Sequence, residues 1–421
     1  MAQMTDTAAP MLTMADGTPL KQALARATRR SKLRAFLLVA PLLAFILITF
    51  IVPIFDMLAR SIANPEVQAA IPETAALLAG WDGTDLPPEA VFATLAREIS
   101  DPARRQDVGR MAARLNYEDA GFRSLFNKTQ RRIDDIKAGP YKNALIKIDK
   151  DWGKPDTWKM IRLMAPALTV SYYLNAVDRT YDIDGNIVAQ PDWKRIYVHL
   201  FLKTIYVSLG VTVACLILAY PISYLLATLP PSRGNLLLIL VLLPFWTSLL
   251  VRTTAWIVLL QTNGVVNDLL VWLGVIADGN RLNMIYNMTG TIIAMTHILM
   301  PFMVLPLYSV MKTISPSYLR AARSLGANPL VAFVRVYLPQ TVPGIGAGSI
   351  LVFILAVGYY ITPALVGGQD GQLISNFIAY HMQKSLNWGL AAALGAILLA
   401  GVLAMYWLYD RLVGIDNMKL G

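Results

Sequence analysis

The sequence predicts an all-α integral membrane protein of about six transmembrane helices, with a mostly helical domain inserted after the first. Three observations carry this. Of the 421 residues 56% are hydrophobic and only 15% charged, with mean hydropathy +0.49, whereas a soluble domain carries about 25% charged residues. Several apolar stretches reach the roughly 20 residues that a bilayer core demands of a helix. The charge is also segregated: residues 61–195 hold 19 acidic and 19 basic side chains, and the rest of the chain holds 8 and 18. The net charge of +10 therefore lies in tails and short connections, where the positive-inside bias operates, rather than in the basic stripe that a nucleic-acid surface requires.

Residues 1–34 read as a polar tail ending in the basic run Arg26, Arg29, Arg30, Lys32 and Arg34. The first span follows at 35–58. A signal peptide shows the same order, and Ser61-Ile62-Ala63 loosely resembles a cleavage site; the apolar run exceeds the usual signal length, so an uncleaved span is favoured. The insert, 61–195, has helix starts at Pro87-Pro88-Glu89 and Asp101-Pro102 and a charged run from Asn116 to Lys137. Near its end "RTYDIDGNIVAQ" reads as a hairpin turning at Asp184-Gly185. A calcium loop on Asp182 and Asp184 is excluded because Pro191 stands where the bidentate glutamate belongs.

The core, 196–415, supplies the other spans. The second runs from about Leu200 to Leu229, and the third starts at Asn235 and bends or breaks near Pro244. An amphipathic patch, "GVVNDLLVWLGVIADGNRLN", is expected along the interface. The fourth, fifth and sixth cover about 289–311, 345–366 and 389–409. With the amino terminus in the cytoplasm, inner segments hold thirteen Lys/Arg and outer flanks five, leaving out the insert. That parity places the insert outside and the 313–340 loop inside.

Several chemistries are excluded. The single cysteine, Cys215, forbids an internal disulfide, and His199, His297 and His381 have no ligand spacing, so no metal site is expected. After Arg195 the acids Asp268, Asp278, Asp370, Asp410 and Asp416 all fall at predicted span ends or in loops. An intramembrane acid is the usual mark of ion coupling, so a self-contained secondary transporter or channel is the lesser alternative. A membrane-anchored sensor would need fewer spans. No catalytic or phosphate-cradling motif occurs, so the chain is not an enzyme and any ATP is hydrolysed by another subunit.

One stretch departs from its oily surroundings: "SPSYLRAARSLGANPLVAFVRVYLPQ", Ser315–Gln340. Ser315 and Pro316 suit a helix start, and Gly326 suits a left-handed stop. Asn328-Pro329 repeats the start signal, and Pro339 is expected to end the second helix. The first helix is about three turns long, marginal alone in water, so something must pack on it.

This loop resembles the E-A-A-x3-G-x9-I-x-L-P coupling motif of permease subunits of ATP-binding-cassette importers. Ala321-Ala322, Gly326, Leu338 and Pro339 are in register, while Val336 stands for isoleucine and Arg320 replaces the acid. The segments "PFWTSLLVRTTAWIVLLQTNGVVN" (244–267) and "GYYITPALVGG" (358–368) resemble the spermidine/putrescine-type branch, which also handles opines and phosphonates. The resemblance covers 35–60 loosely and 196–415 well, and omits the insert. It implies the type I importer permease fold in a bacterial inner (plasma) membrane and no cofactor in this chain, with ATP and Mg bound by cytoplasmic ATPase partners. A second permease subunit, usually a different chain, and an extracytoplasmic solute-binding protein complete the set. The ATPase-coupling residues are then Leu319, Arg320, Ala321, Ala322, Arg323, Gly326, Leu338 and Pro339. Polar and aromatic groups at broken spans line cavities more readily than they face lipid. The expected pathway residues are therefore Trp246, Thr247, Ser248, Arg252, Tyr359, Tyr360 and Thr362.

Overall fold

The computed structural model describes residues 20–136 and 139–413. Residues 1–19 of the expected tail, and Asp416 and Lys419, lie outside the described residues. The chain divides into two units, 1–59 and 60–421.

In the first unit α1 (Leu20–Ile46) runs through a π turn at Leu47–Ile51 into α2 (Val52–Arg60). The basic run is thus helical and continuous with the span, not a separate tail. The membrane-length segment is Ser31–Arg60, with its basic residues at the two ends and an apolar run between. It contains Asp56, an acid inside a span-length segment, unlike the acids after Arg195 that fall at predicted span ends or in loops.

The second unit opens with eight short helices: α3 (Glu66–Ala70), α4 (Pro72–Ala79), α5 (Glu89–Ser100), α6 (Arg105–Glu118), α7 (Phe122–Arg132), α8 (Tyr141–Ile148), α9 (Pro155–Leu163) and α10 (Ser171–Ala176). They close over a core in which Trp152, Trp158, Phe92 and Phe126 are fully buried, with Phe92–Trp158 and Phe126–Trp152 edge-on and Trp152–Trp158 tilted, at 4.6–5.3 Å between centroids. Glu98 is buried, but it accepts the Glu73 and Thr74 backbone N–H groups at the start of α4. Arg114 is 3% exposed and fully engaged, on Glu118 (2.8 Å), Asn64 and Ser171; such a buried charge is tolerable only when satisfied. The expected hairpin is present as β1 (Arg179–Tyr181) and β2 (Ile187–Ala189), antiparallel, with Gly185 at φ +84°. Asp182 caps the turn by accepting the N–H groups of Asp184 and Asn186.

Next come α11 (Tyr197–Thr228), α12 (Pro231–Leu242), α13 (Leu249–Leu260), α14 (Val265–Trp272), α15 (Met288–Thr313), α16 (Ser317–Ser324), α17 (Pro329–Ala332), α18 (Leu338–Gly358), α19 (Ile361–Val366), α20 (Ile374–Gln383) and α21 (Trp388–Val413). Among the described residues, six segments are long and apolar enough to cross a membrane. The third of them, Leu249–Trp272, begins beyond the break at Pro244 and takes in part of the expected interfacial patch; Pro231–Trp246 is a shorter apolar helix. Asp268 consequently lies inside a span-length segment, paired with Arg281 at 2.7 Å, and Asp410 lies at the end of the last one.

Helices α11, α15 and α18 form the packed centre. Lipid tails offer no hydrophobic drive between helices, so close backbone approach matters. Gly344 and Gly348, one turn apart on α18, supply it. A Cβ at Gly344 would meet Leu307 Cα at 3.2 Å, and one at Gly348 would meet Met303 Sδ at 2.6 Å. Cys215 Sγ and Ser223 Oγ donate across to carbonyls of α15, at 3.4 and 3.3 Å.

The insert is tied to one end of this bundle. Asp178, buried and at φ +58°, accepts three N–H groups from the first turn of α11: Ile196 and Tyr197 on Oδ1, Val198 on Oδ2, at 2.9–3.0 Å. Those are the donors a helix start leaves unsatisfied. At the other end of α11, the Ala227 carbonyl accepts from Lys312 Nζ beside α16. Insert and elbow therefore sit at opposite ends of a helix about 48 Å long.

Candidate functional site

The elbow folds much as its sequence suggests, up to one proline. Helix α16 starts one residue late, with Pro316 in the cap position and Ser315 Oγ accepting the Ser317 N–H at 3.4 Å. It closes with a pair of bonds, Ala327 N–H to Ala322 O and Gly326 N–H to Arg323 O, and Gly326 adopts φ +90°. No atom lies within 4 Å of where a Gly326 Cβ would stand, so the glycine answers a backbone need and not a close approach within this chain. Asn328 Oδ1 caps the next helix on Val331 N–H at 2.8 Å.

Pro339 does not end that helix. From Pro329 the chain runs through a π turn at Phe333–Tyr337 straight into α18, and the fifth span-length segment is Pro329–Gly358 rather than 345–366. A proline ring clashes with the carbonyl four residues back; a widened turn just before it relieves that clash without breaking the rod. Tyr224 of α11 packs edge-on against Phe333 and Tyr337, at 5.7 and 5.3 Å, which anchors the turn.

Of the expected coupling residues, Arg320, Ala321, Arg323, Gly326 and Pro339 are exposed, and Ala322 and Leu338 are half-buried. Leu319 instead turns inward and packs on the membrane core. The most exposed apolar groups are Leu325 (90%), Leu330 (71%) and Tyr318 (53%), with Val334 and Val331 less so, and none is among the expected coupling residues. Their signal was available: apolar residues in a short polar loop. No acid occurs between Thr313 and Gln340, so this surface is basic and apolar.

The second cluster forms where two spans break. The α12–α13 break spans Leu243–Ser248, with Thr247 Oγ1 donating to Pro244 O and Ser248 Oγ accepting from Val251 N–H. The α18–α19 break falls at Tyr359-Tyr360. Carbonyls freed by a break need partners at membrane depth, and α20 provides them. Ser375 Oγ donates to Val357 O at 2.7 Å and Asn376 Nδ2 to Tyr360 O at 2.8 Å. At ten residues α20 is too short to span a bilayer, so length and hydropathy alone do not mark it.

The two breaks are stitched by Thr253 and Thr362, buried, with hydroxyls 3.3 Å apart. One residue earlier on α13, Arg252 is half-buried, its Nε enclosed and without a hydrogen-bond partner. It lies within electrostatic reach of Tyr359 and His297, and Trp256 Nε1 donates to His297 Nδ1 at 3.0 Å. The structure thus gathers Arg252, Tyr359 and Thr362 and adds Thr253, Trp256 and His297. Trp246, Thr247, Ser248 and Tyr360 are exposed. Among the described residues no cluster of metal-ligating side chains occurs.

Residues 202–414 match the family model for the binding-protein-dependent transport system inner membrane component. The chain belongs to this family. It is 38% identical over 221 residues to the spermidine/putrescine transport system permease protein PotB of Escherichia coli (strain K12), a match covering 52% of this chain and 80% of that protein. Against PotB of Haemophilus influenzae (strain ATCC 51907 / DSM 11121 / KW20 / Rd) it is 34% identical, covering 53% and 79%. Against the inner membrane ABC transporter permease protein YdcU of E. coli (strain K12) it is 33% identical, covering 51% and 71%. A solved bacterial ABC transporter involved in import of the acidic polysaccharide alginate aligns at TM-score 0.42 and 19% identity, covering 52% of this chain and 80% of that one. The protein is accordingly a non-catalytic, multi-pass inner-membrane permease component of an importer that also comprises a binding protein and an ATPase. The family match begins after the insert.

Proposed function

We propose that the chain forms half of the translocation pathway for a polyamine-like solute, with the insert extracytoplasmic and the elbow cytoplasmic. The observation that carries the solute class is the 38% identity to PotB over four-fifths of that protein. The orientation rests on the thirteen-to-five basic asymmetry and on insert and elbow lying at opposite ends of α11. The elbow docks in a groove of the ATPase, which binds ATP and Mg²⁺, through Ala321, Ala322, Gly326, Leu325, Leu330 and Tyr318. Arg320 and Arg323 meet acidic side chains there. Closure of the ATPase pair pulls α18, which the π turn makes one rod with the elbow. The second permease subunit is a different chain. Arg252, Tyr359 and Thr362 face the pathway.

One observation favours a second solute class. Arg252 Nε is enclosed and unpartnered, and a guanidinium at a pathway wall suits a carboxylate or phosphonate better than a polyamine. Reconstitution with the binding protein and ATPase decides between them. Binding-protein-dependent uptake of labelled spermidine or putrescine supports the first class, and uptake of an opine or phosphonate instead supports the second. Uptake without the ATPase overturns both. Cysteines placed at Arg320 and Trp193 test the orientation with an impermeant label, which should reach only position 193 in intact cells.

A further inference from the structure

A cleft of about 700 Å³ lies between helix α6 of the insert and the turn 385–389 that leads into α21. Four guanidiniums line it, those of Arg60, Arg110, Arg114 and Arg123, against one carboxylate, Glu66. Arg114 is committed to Glu118 behind the wall. Arg110 and Arg123 are exposed, and the one ion pair at Arg110, to Asp107, is long at 3.4 Å and open to solvent, so it holds the guanidinium weakly.

Two features place this cleft at the depth of lipid headgroups. Trp388, which lines it, is the first residue of the last span-length helix, Trp388–Arg411, and is 42% exposed; an amphipathic ring at a span end marks the interfacial layer. Tyr117 donates to Ser385 O at 2.6 Å, and the Tyr172 ring fills the space against Gly389, where a Cβ would meet it at 2.3 Å. The floor is therefore fixed to the bundle end. On the opposite wall Gly109 leaves open space, and Asn127 adds an exposed amide.

We propose that this cleft binds the phosphate of an anionic phospholipid from the leaflet on the insert's side, with Arg110 and Arg123 as its principal ligands. A phosphate diester's single negative charge is opposite in sign to the guanidiniums and its two free oxygens suit their forks, and juxtamembrane basic clusters attract anionic lipid. The inference does not depend on the transported solute.

Native mass spectrometry of the intact permease complex, with detergent-solubilised phosphatidylglycerol or phosphatidylcholine, tests it. Wild type should retain phosphatidylglycerol in preference to phosphatidylcholine. The double substitution Arg110→Gln/Arg123→Gln should weaken apparent affinity about 30-fold, and Arg110→Lys/Arg123→Lys should recover most of it. A thermal melt checks that both variants are folded, which is expected because both side chains are exposed. Equal retention by wild type and the Gln variant, or equal retention of both lipids, overturns the proposal. So does protection by inorganic phosphate alone to the same degree, which would assign the cleft to a soluble anion.

Discussion

The insert and the elbow are both built from short helices, and they meet opposite fates. In the insert, α5, α7 and α9 turn Phe92, Phe126 and Trp158 into a common centre from which water is excluded. In the elbow, α16 buries no residue at all, and Leu325 next to it is 90% exposed. Helices of eight to twelve residues are marginal alone and gain most of their stability from tertiary packing. The insert finds that packing within its own chain, whereas the elbow keeps its backbone shape by a glycine turn, a cap and a π turn and leaves its outer side chains Tyr318, Leu325 and Leu330 unspent. The elbow is thus ordered in backbone but uncovered within its own chain.

Substitutions that strike one region and spare the other sharpen the contrast. The largest effect is expected from Trp158→Ala, which opens the insert's core and should cost about 3–5 kcal/mol. Limited proteolysis should then cut within 61–195 while the membrane core stays intact. Unchanged protease resistance would mean that the insert lacks an independent core. Next, Leu325→Asp should reduce solute-stimulated ATP hydrolysis by the assembled importer roughly 30-fold, as loss of an interface hot spot does, with no change in the melt of the isolated permease. Gly326→Ala is smaller. A Cβ there meets nothing, so only the left-handed backbone resists it, at about 1–2 kcal/mol; coupled turnover should fall several-fold and Gly326→Asn should be milder. Asp178→Ala should remove the cap on α11 and cost about 0.5–2 kcal/mol, measured as a lower melting temperature.

The smallest effect is electrostatic and confined to the insert. Burial raises the Asp149 carboxyl, but the Lys128 ammonium at 2.7 Å and the Asp151 N–H outweigh it and leave it below its ordinary value. A depressed carboxylate contributes stability at neutral pH that is lost as pH falls through its folded value. Asp149→Asn should therefore flatten the acid limb of the insert's stability curve, read by tryptophan fluorescence.

What the sequence made legible was whatever a local signal carries. The apolar runs, the Gly326 stop, the Asp184-Gly185 turn and the break near Pro244 each depend on a few neighbouring residues, and each appears in the structure. What it hid depends on distant partners. Pro339 looked like a helix end because the π turn that accommodates it is stabilised by Tyr224, more than a hundred residues away. Leu319 looked like a docking residue because only the bundle behind it shows that it points inward. Ser375 and Asn376 gained meaning once the broken ends of α18 and α19 lay beside them.

The three bonds from Asp178 to the first turn of α11 have a mechanical corollary. A rod clamped by its cap cannot tilt while the cap stays behind, and because Tyr117 and Tyr172 also hold the insert to the start of α21, any tilt of α11 against α21 loads the insert like a lever on two pivots. A label on the insert's outer helices would magnify small rotations at the bundle into displacements large enough to follow in a single molecule.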